Sequence, residues 1–217
     1  LIVMFLVDMS GSGVFGSIEK TKNEIAAEIC SLLAFSAIKN NDKVGLIVFT
    51  DTVEFFLPPE KGTRHVLRLI EEILNFKPEG VKTDIGAALD YLGRVSSKKT
   101  VAFLISDYLD SNYEQKLRVM NKRHDLIAVT ISDPREVDLP KVGIVKLLDS
   151  ETGEGIVIDT NSDKVRRWYR TKALERKDKL KRTFFTSGID QIDIQTDRDY
   201  LKSITTFFLN RERRLKR

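Results

Sequence analysis

Three short segments of the chain carry oxygen-bearing side chains of the kind that bind a hard divalent cation. They are Asp8-Met9-Ser10-Gly11-Ser12, Thr83-Asp84 and Asp107. The candidate ligands are carboxylates and hydroxyls: Asp8, Ser10, Ser12, Thr83 and Asp107. An all-oxygen set of this kind suits Mg²⁺ or Mn²⁺. Because the set is largely neutral, a bound ion would stay under-neutralised and would attract an outside anion, such as an Asp or Glu carboxylate of a partner protein.

The elements that would position these segments are strands of a parallel sheet. Residues 1–7 and 101–106 are apolar runs that predict buried strands just before Asp8 and Asp107. Strand and helix patterns alternate along the chain, which predicts an α/β fold with a doubly wound, mostly parallel, Rossmann-like sheet. Loops at the carboxyl ends of such strands converge on one crevice, so the three segments are expected to meet there. Thr83 or Asp84 is predicted to cap the helix that follows.

The remaining elements are predicted in less detail. Alternation over residues 53–57 predicts a short edge strand that stops at Pro58-Pro59. Residues 142–148 and 155–158 predict a β-hairpin around Thr152-Gly153. The last helix is predicted over residues 200–209, with these apolar side chains facing inward: Leu201, Ile204 and Phe208. The hairpin and the helix after it go beyond what a minimal doubly wound fold requires.

A run of positive charge marks the long helix predicted after the hairpin. Ten basic residues lie between Lys164 and Arg182, against only Glu175 and Asp178. The pattern predicts an inward side formed by Val165, Trp168, Tyr169 and Ala173. Such charges are typical of a solvated helix face, and the alternative is a surface for an acidic protein, a nucleic acid or an anionic membrane. No aromatic platform or base-reading motif is interleaved with them, which disfavours nucleic acid.

A nucleotide-binding interpretation competes for the first strand end. Gly11-Ser12-Gly13-Val14-Phe15-Gly16 matches the Gly-x-Gly-x-x-Gly fingerprint of dinucleotide-binding folds. That fingerprint requires an acidic residue about 20 positions further on, whereas Asp51 lies well beyond that distance. It also gives no role to Thr83 or Asp107. The dinucleotide site is therefore kept only as a minor alternative to the metal site.

A metal-dependent phosphoesterase or phosphotransferase is the second enzyme interpretation. An enzyme of the haloacid-dehalogenase type would need a second Asp two residues after Asp8 as general acid, and Ser10 stands there. His65 and His124 fit surface or capping roles, and no Ser-His-Asp spacing is present. No catalytic residue is assigned, and the chain is not expected to be an enzyme.

Length and composition fit one globular α/β domain, with 217 residues and a net charge of +4. Cys30, the only cysteine, falls on the apolar face of a helical pattern and excludes an internal disulfide or a thiolate zinc cluster. The longest apolar run, the opening seven residues, is too short for a membrane span or a signal peptide. The chain starts inside a predicted strand, so we expect a natural N-terminal segment upstream. We expect a cytoplasmic domain, with membrane association only through missing segments or partners.

The candidate ligands resemble the metal-ion-dependent adhesion site of von Willebrand factor A domains, which combines Asp-x-Ser-x-Ser with a later Thr-Asp and a later strand-end Asp. Other stretches resemble the bacterial domain-of-unknown-function family numbered fifty-eight. These stretches are Phe15-Gly16, Asp42-Lys43-Val44-Gly45-Leu46, Leu57-Pro58-Pro59, Gly62 with His65 and Leu67, Asp133-Pro134-Arg135-Glu136, Leu139-Pro140, Gly143, Glu151-Thr152-Gly153-Glu154, Asp159-Thr160, Arg166 or Arg167 before Tyr169, Gly188-Ile189-Asp190 and Thr196-Asp197.

This resemblance spans nearly the whole chain. It implies a single von Willebrand factor A-like domain over residues 1–217, with residues 134–186 as a family-specific hairpin and helix insertion. It also implies association with a MoxR-type AAA+ ATPase and an adaptor or chaperone-like role in assembling other proteins. Together with the metal site, it predicts a protein–protein interaction domain that depends on Mg²⁺ or Mn²⁺.

Overall fold

The structure, a computed structural model, describes residues 1–16, 20–148 and 155–216. The strands are β1 (Ile2–Asp8), β2 (Lys43–Phe49), β3 (Val53–Glu60), β4 (Val101–Ser106), β5 (Asp125–Ser132), β6 (Ile144–Leu148), β7 (Gly155–Asp159) and β8 (Asp190–Gln195). The helices are α1 (Lys22–Lys39), α2 (Thr63–Asn75), α3 (Ile85–Val95), α4 (Glu114–Arg123), α5 (Asp163–Ser187) and α6 (Tyr200–Leu215). Two short 3-10 turns span Gly11–Val14 and Pro134–Glu136. The predicted hairpin turn at Thr152-Gly153 and the stretch Glu151-Thr152-Gly153-Glu154 lie outside the described residues.

A six-stranded sheet forms the centre, in the order β3-β2-β1-β4-β5-β8. All neighbouring strands are parallel except β3, which is antiparallel to β2. This mixed, mostly parallel sheet confirms the predicted α/β class. From β1 the chain winds outward first through β2 and then, in the opposite direction, through β4. The strand order therefore reverses between β1 and β4, and a crevice at the carboxyl ends of these two strands is the place where such folds bind ligands.

The core lies on both faces of this sheet. Alternation along β1 sends Phe5 and Val7 to the face covered by α1, α2 and α6. Met4 and Leu6 face the opposite side, which is covered by α3, α4 and α5. Because β1 is buried on both faces, it is a firm support for Asp8 at its end.

The edge strand β3 continues through the two prolines at which it was predicted to stop. It runs to Glu60, and its register against β2 shifts between Val44 and Leu46, opposite Pro58 and Pro59. Proline has no backbone N–H to donate, so it is tolerated where a strand has a free edge or an irregular register. The predicted boundary was therefore wrong because β3 has both features.

The two C-terminal helices bury less of their apolar residues than predicted. On α5 the predicted inward residue Trp168 is 57% exposed, whereas Ala173 and Phe184 are buried. This long helix packs on the core near its C-terminal end, where the rings of Phe184 and Tyr108 lie 5.0 Å apart. Of the three residues predicted to face inward on α6, Ile204 is buried, while Leu201 and Phe208 are exposed. A helix at the margin of a sheet buries only a narrow stripe of its surface. Helical periodicity therefore overestimates how many of its apolar residues are buried.

Within the described residues, every helix falls short of the length and hydrophobicity that crossing a membrane requires.

Candidate metal centre

The first loop of the candidate site follows β1. The side chains of Asp8, Ser10 and Ser12 are all buried. The Ser10 backbone N–H donates to Asp8 Oδ1 over 3.0 Å, and the hydroxyl oxygens of Ser10 and Ser12 lie 3.1 Å apart. Ser106, at the end of β4, donates its hydroxyl to Asp8 Oδ2 over 2.6 Å. Both serine hydroxyls and the Asp8 carboxylate therefore occupy one buried polar cluster.

The Asp8 carboxyl group is held in an unfavourable place for its negative charge. Burial raises its pKa to about 6, and the nearby charge of Asp107 adds to this rise. Hydrogen bonds from Ser106 and Ser10 act in the opposite direction but do not outweigh burial. A cation placed beside this carboxylate would relieve its unfavourable charge, since an opposite charge favours the ionised form.

The second and third loops lie beside the first. The backbone N–H of Gly11 donates to the carbonyl oxygen of Val81 over 2.9 Å, which joins the first loop to the one that carries Thr83. Thr83 is buried, and Asp84 after it caps α3 by accepting from Ala87 N over 2.8 Å. Of the two predicted N-caps, Asp84 is therefore the one that caps α3, and Thr83 lies one residue before this cap.

Asp107 follows β4 and borders two cavities. A small one, of about 20 Å³, is lined by Asp8, Ser12 and Asp107 together with Lys22. Such a volume is about the space of one water molecule. A larger cavity of about 550 Å³ is lined by Thr83 and Asp107. Asp107 thus borders both the small cavity beside Asp8 and Ser12 and the larger cavity beside Thr83.

Lys22 is the site residue that sequence reasoning missed. Its Nζ lies 2.6 Å from Asp107 Oδ2 and 2.6 Å from Glu136 Oε1, and its side chain is only 4% exposed. Burial by itself would lower the pKa of Lys22, but the charges and hydrogen bonds of the two carboxylates outweigh it and raise the pKa. A positive charge therefore already lies against the proposed ligand Asp107.

A faint signal for Lys22 is present in the sequence. Thr21 and Glu24 form a capping box, so Lys22 is the first residue of α1. A positive charge at that position opposes the helix dipole. Such a residue needs acidic partners, and these come from parts of the chain that are remote in sequence.

The Asp133-Pro134-Arg135-Glu136 stretch supplies one of those partners. Asp133 caps the 3-10 turn, accepting from Arg135 N over 2.8 Å, and Thr196 donates its hydroxyl to Asp133 over 2.9 Å. Glu136 bonds back to the Asp133 backbone N–H and holds Lys22 through its other oxygen. The stretch therefore connects the end of β5 to the candidate metal site.

The donor set fits a small, hard cation. Among the described residues, no group of three or more His, Cys, Asp and Glu side chains is arranged to hold a metal. An ion at this place would therefore depend on the hydroxyls of Ser10, Ser12 and Thr83 beside the carboxylates of Asp8 and Asp107. Oxygen ligands of this kind suit Mg²⁺ or Mn²⁺ better than softer metals. The assignment of these residues as ligands stays a prediction.

Two glycines of the competing fingerprint, Gly13 and Gly16, lie close to neighbouring atoms in the fold. A Cβ on Gly13 would lie 1.9 Å from Asn23 Oδ1, and one on Gly16 would lie 2.5 Å from the Lys20 carbonyl oxygen. The N-terminus of α1 is also filled, because the Glu24 carboxylate accepts from Thr21 N over 2.7 Å. A phosphate would have to displace that carboxylate, so the geometry disfavours a dinucleotide there.

The two histidines lie in structural positions. His65 Nε2 is 2.8 Å from the carbonyl oxygen of Val44, which links α2 to β2. His124 is buried, and among the described residues neither of its ring nitrogens has a hydrogen-bond partner. Burial, together with the charge of Arg123, lowers its pKa. Of the surface or capping role expected for His124, the capping part is confirmed, because His124 is the C-cap of α4 and its backbone N–H donates to the Met120 carbonyl oxygen over 2.8 Å. The surface part is wrong, because α4 passes directly into the buried strand β5 at this residue.

The family of the chain follows from a family model described as "Protein of unknown function DUF58", which matches residues 1–179. The chain belongs to this family. The matched residues include all of the predicted ligands, Lys22 and Glu136. Family membership confirms the resemblance drawn from the sequence, whereas it carries no statement about a MoxR-type ATPase.

Curated relatives in mycobacteria are similar over most of the chain. Uncharacterized protein Rv1480 of Mycobacterium tuberculosis is 31% identical over 213 residues, which cover 96% of this chain and 66% of that protein. Uncharacterized protein MAV169 of Mycobacterium avium is 33% identical over 137 residues, covering 63% of this chain and 80% of that protein. The chain thus spans 66% of the length of Rv1480.

Solved structures share the fold at low sequence identity. The conserved hypothetical protein BatB from Bacteroides thetaiotaomicron has a TM-score of 0.61 and 17% identity, with 95% of each chain covered. An aerotolerance-related membrane protein from Bacteroides fragilis has a TM-score of 0.61 and 18% identity, over 94% of this chain and 96% of the other. These similarities confirm the predicted von Willebrand factor A-like fold.

Proposed function

We propose that this chain is a divalent-metal-dependent protein–protein interaction domain. The ion, Mg²⁺ or Mn²⁺, would be held by the residues predicted from the sequence: Asp8, Ser10, Ser12, Thr83 and Asp107. The observation that carries the proposal is the buried cluster in which the Ser10 and Ser12 hydroxyls lie 3.1 Å apart beside the Asp8 carboxylate. Lys22, whose Nζ lies 2.6 Å from Asp107 Oδ2, places one positive charge beside these oxygen donors.

The chemistry of the ion would be electrostatic. When bound, it would supply a positive charge with an open coordination position for the carboxylate of a partner. Lys22 and the backbone N–H of Leu109, which donates to Asp107 Oδ1 over 3.1 Å, hold Asp107 in place. Ser106 and the Ser10 N–H orient Asp8 in the same way. In this proposal the side chains of the cluster hold and orient the ion, and none of them is assigned a catalytic role.

The wider role follows from the family resemblance. We propose that the domain, taken as one unit over residues 1–217, is an adaptor or chaperone-like partner of a MoxR-type AAA+ ATPase. Such a partner uses ATP, so the domain would work in the cytoplasm or at its membrane surface. The alternative is a nucleotide-dependent or phosphoesterase enzyme in the same crevice. Nucleotide binding is less well supported because Glu24 already fills the N-terminus of α1. The phosphoesterase is less well supported because Ser10 stands where its general acid would be needed.

The experiment that tests the proposal measures Mn²⁺ binding by electron paramagnetic resonance or calorimetry. We expect Asp8→Ala to weaken binding by about tenfold or more, in line with the cost of disturbing a metal site. Asp51→Ala is the matched control, since Asp51 is an exposed carboxylate just after β2. Equal binding by both variants would contradict the metal site.

The same variants test the interaction. A MoxR-type ATPase should be retained on the immobilised chain in Mg²⁺ and released in EDTA, and Asp8→Ala should not retain it. Retention that survives EDTA and Asp8→Ala would contradict a metal-dependent interaction while leaving the metal site itself to be judged by Mn²⁺ binding.

A further inference from the structure

A groove runs from the candidate metal site along the β6–β7 hairpin. Its volume is about 920 Å³, near the upper end of the range usual for ligand sites. Ser12 and Lys22 form its end, and both also line the small cavity beside Asp8. The groove and the candidate metal site are therefore adjacent.

The floor of the groove is apolar. Val145 and Leu147 lie on the same face of β6, and Ile156 of β7 pairs with Leu147 across the hairpin. Tyr169 of α5 also lines the groove, and Ile156 is 59% exposed. Within the described part of the chain the hairpin forms a two-stranded sheet of its own. A hairpin of this size is marginally stable alone, and an exposed apolar patch of this kind marks an interaction site.

The charged side chains of the groove are mostly basic. They are Lys22, Arg135, Arg176 and Glu136. Lys22 and Glu136 pair with each other. Arg135 and Arg176 are exposed, and neither makes an ion pair with any residue that the structure describes. The planar guanidinium group is suited to bind a carboxylate through two hydrogen bonds. The complementary occupant is therefore apolar and acidic.

We propose that this groove binds an extended, apolar segment of a partner protein, with acidic side chains on Arg135 and Arg176. One further carboxylate of the segment reaches the metal at the end of the groove. The inference rests on the proposed function, and it adds where the partner lies and what its chemistry is. A second copy of this chain is a poorer occupant, because the chain has a net charge of +4 and the groove is basic.

The probe for this proposal is a library of random linear peptides displayed on phage and selected on the full chain in Mn²⁺. Enriched sequences should combine several apolar residues with at least one Asp or Glu. One enriched peptide is then synthesised, and its affinity is measured by fluorescence anisotropy. Enriched peptides without a carboxylate, or a failure to enrich any peptide, would overturn the proposal.

Two pairs of variants locate the peptide. Leu147→Asp changes the groove floor, and its control Ile144→Asp changes a 75% exposed residue of the same strand that does not line the groove. Arg135→Glu with Arg176→Glu reverses the groove charge, and its control combines Arg167→Glu with Arg182→Glu. We expect each groove variant to weaken peptide binding by about tenfold or more and each control to change it by less than about threefold. Circular dichroism and Mn²⁺ binding should be unchanged in all four proteins.

The outcomes separate this proposal from the proposed function. Peptide binding that is lost in Leu147→Asp but survives EDTA and Asp8→Ala supports the groove and contradicts metal dependence. Binding that is lost in EDTA but unaffected by the groove variants supports the metal site and overturns the groove. Self-association that Leu147→Asp abolishes, without any peptide binding, would assign the groove to a second copy and overturn the proposed partner.

Discussion

At the scale of single residues, Lys22 supplies the positive charge that faces Asp107 in the candidate site. Its ammonium group is buried between Asp107 and Glu136, with both contacts at 2.6 Å. Removing one member of a buried ion pair leaves an uncompensated charge, which costs more than the pair itself contributes. A metal ion that binds Asp107 must share this carboxylate with Lys22.

Lys22→Met should therefore lower stability and raise metal affinity together. We expect the free energy of unfolding without metal to fall by about 3–5 kcal/mol, because Asp107 and Glu136 lose their counter-charge. Mn²⁺ should bind more tightly to this variant and restore part of the loss. Urea denaturation with and without Mn²⁺ measures both effects.

The matched control is Lys20→Met, which removes a more exposed ion pair with Glu28 near the same helix end. Its effect should stay below about 1 kcal/mol, as for other surface pairs. If Lys22→Met and Lys20→Met were alike in stability and in Mn²⁺ affinity, Lys22 would have no special place in the site.

The site could be predicted from sequence only as far as local spacing allows. Asp8, Ser10 and Ser12 lie in one turn after a recognisable strand, so their meeting follows from the sequence. The pairing of Lys22 with Glu136 joins residues 114 positions apart. It depends on where α1 and the 3-10 turn after β5 come to lie, and no local pattern contains that information.

At the scale of elements, β3 holds the segment that leads to Thr83. The Glu54 carboxylate accepts hydrogen bonds from the Thr50 hydroxyl and from the backbone N–H groups of Glu79 and Gly80, the latter two over 2.8 and 2.9 Å. Partial burial alone would raise the pKa of Glu54, but these hydrogen bonds outweigh it and lower the pKa. The carboxylate thus ties an edge strand to a loop of the candidate site.

Glu54→Gln should reveal this tie through its pH dependence. The pKa is lower in the folded than in the unfolded state, so the stabilisation is present above the unfolded value and is lost as the pH falls through the folded value. We expect the variant to be less stable than the wild type by about 1–2 kcal/mol near neutral pH. The difference should shrink on acidification below about pH 4.

Urea denaturation over this pH range measures the effect, with Glu60→Gln in the same strand as control, since its side chain is 70% exposed. A stability difference that does not change with pH would mean that the Glu54 charge is not what holds the loop. Weaker Mn²⁺ binding by Glu54→Gln is also expected, because the loop that carries Thr83 would be less firmly held.

The predicted elements differ from the observed ones where burial is partial. Strands such as β2 and β4 are buried apolar runs, and their position was clear from the sequence. The inward side of α5 was wrong at Trp168 because helical periodicity says which residues share a face but not how much of that face is covered. The extent of β3 was wrong because the cost of proline depends on whether the strand is an edge.

At the scale of the whole molecule, stability comes from the two core layers and not from the candidate site. The large, fully buried side chains include Phe5, Phe49 and Phe184, which lie in the sheet and the helices. The proposed ligands lie on loops at one edge of this core. Metal would therefore be an addition to a folded protein.

We expect the chain to stay folded in EDTA and to gain stability with metal by mass action only. That gain is about 2.7 kcal/mol when the free metal exceeds its dissociation constant a hundredfold. Circular dichroism and thermal unfolding in EDTA and in graded Mg²⁺ measure it, with Asp8→Ala as the control that should not respond. Loss of secondary structure in EDTA would point instead to an ion on which folding depends.

The two edge strands of the central sheet, β3 and β8, affect whether the sheet can pair with the sheet of another molecule. Pro58 and Pro59 in β3 offer no N–H groups along their part of one margin. Asp190 and Asp193 in β8 place charges on the other, where they pair with Arg211, Arg214 and Lys177. Such margins resist the addition of a foreign strand, which is the first step of fibril growth. Both margins therefore disfavour pairing between the sheets of neighbouring copies at high concentration.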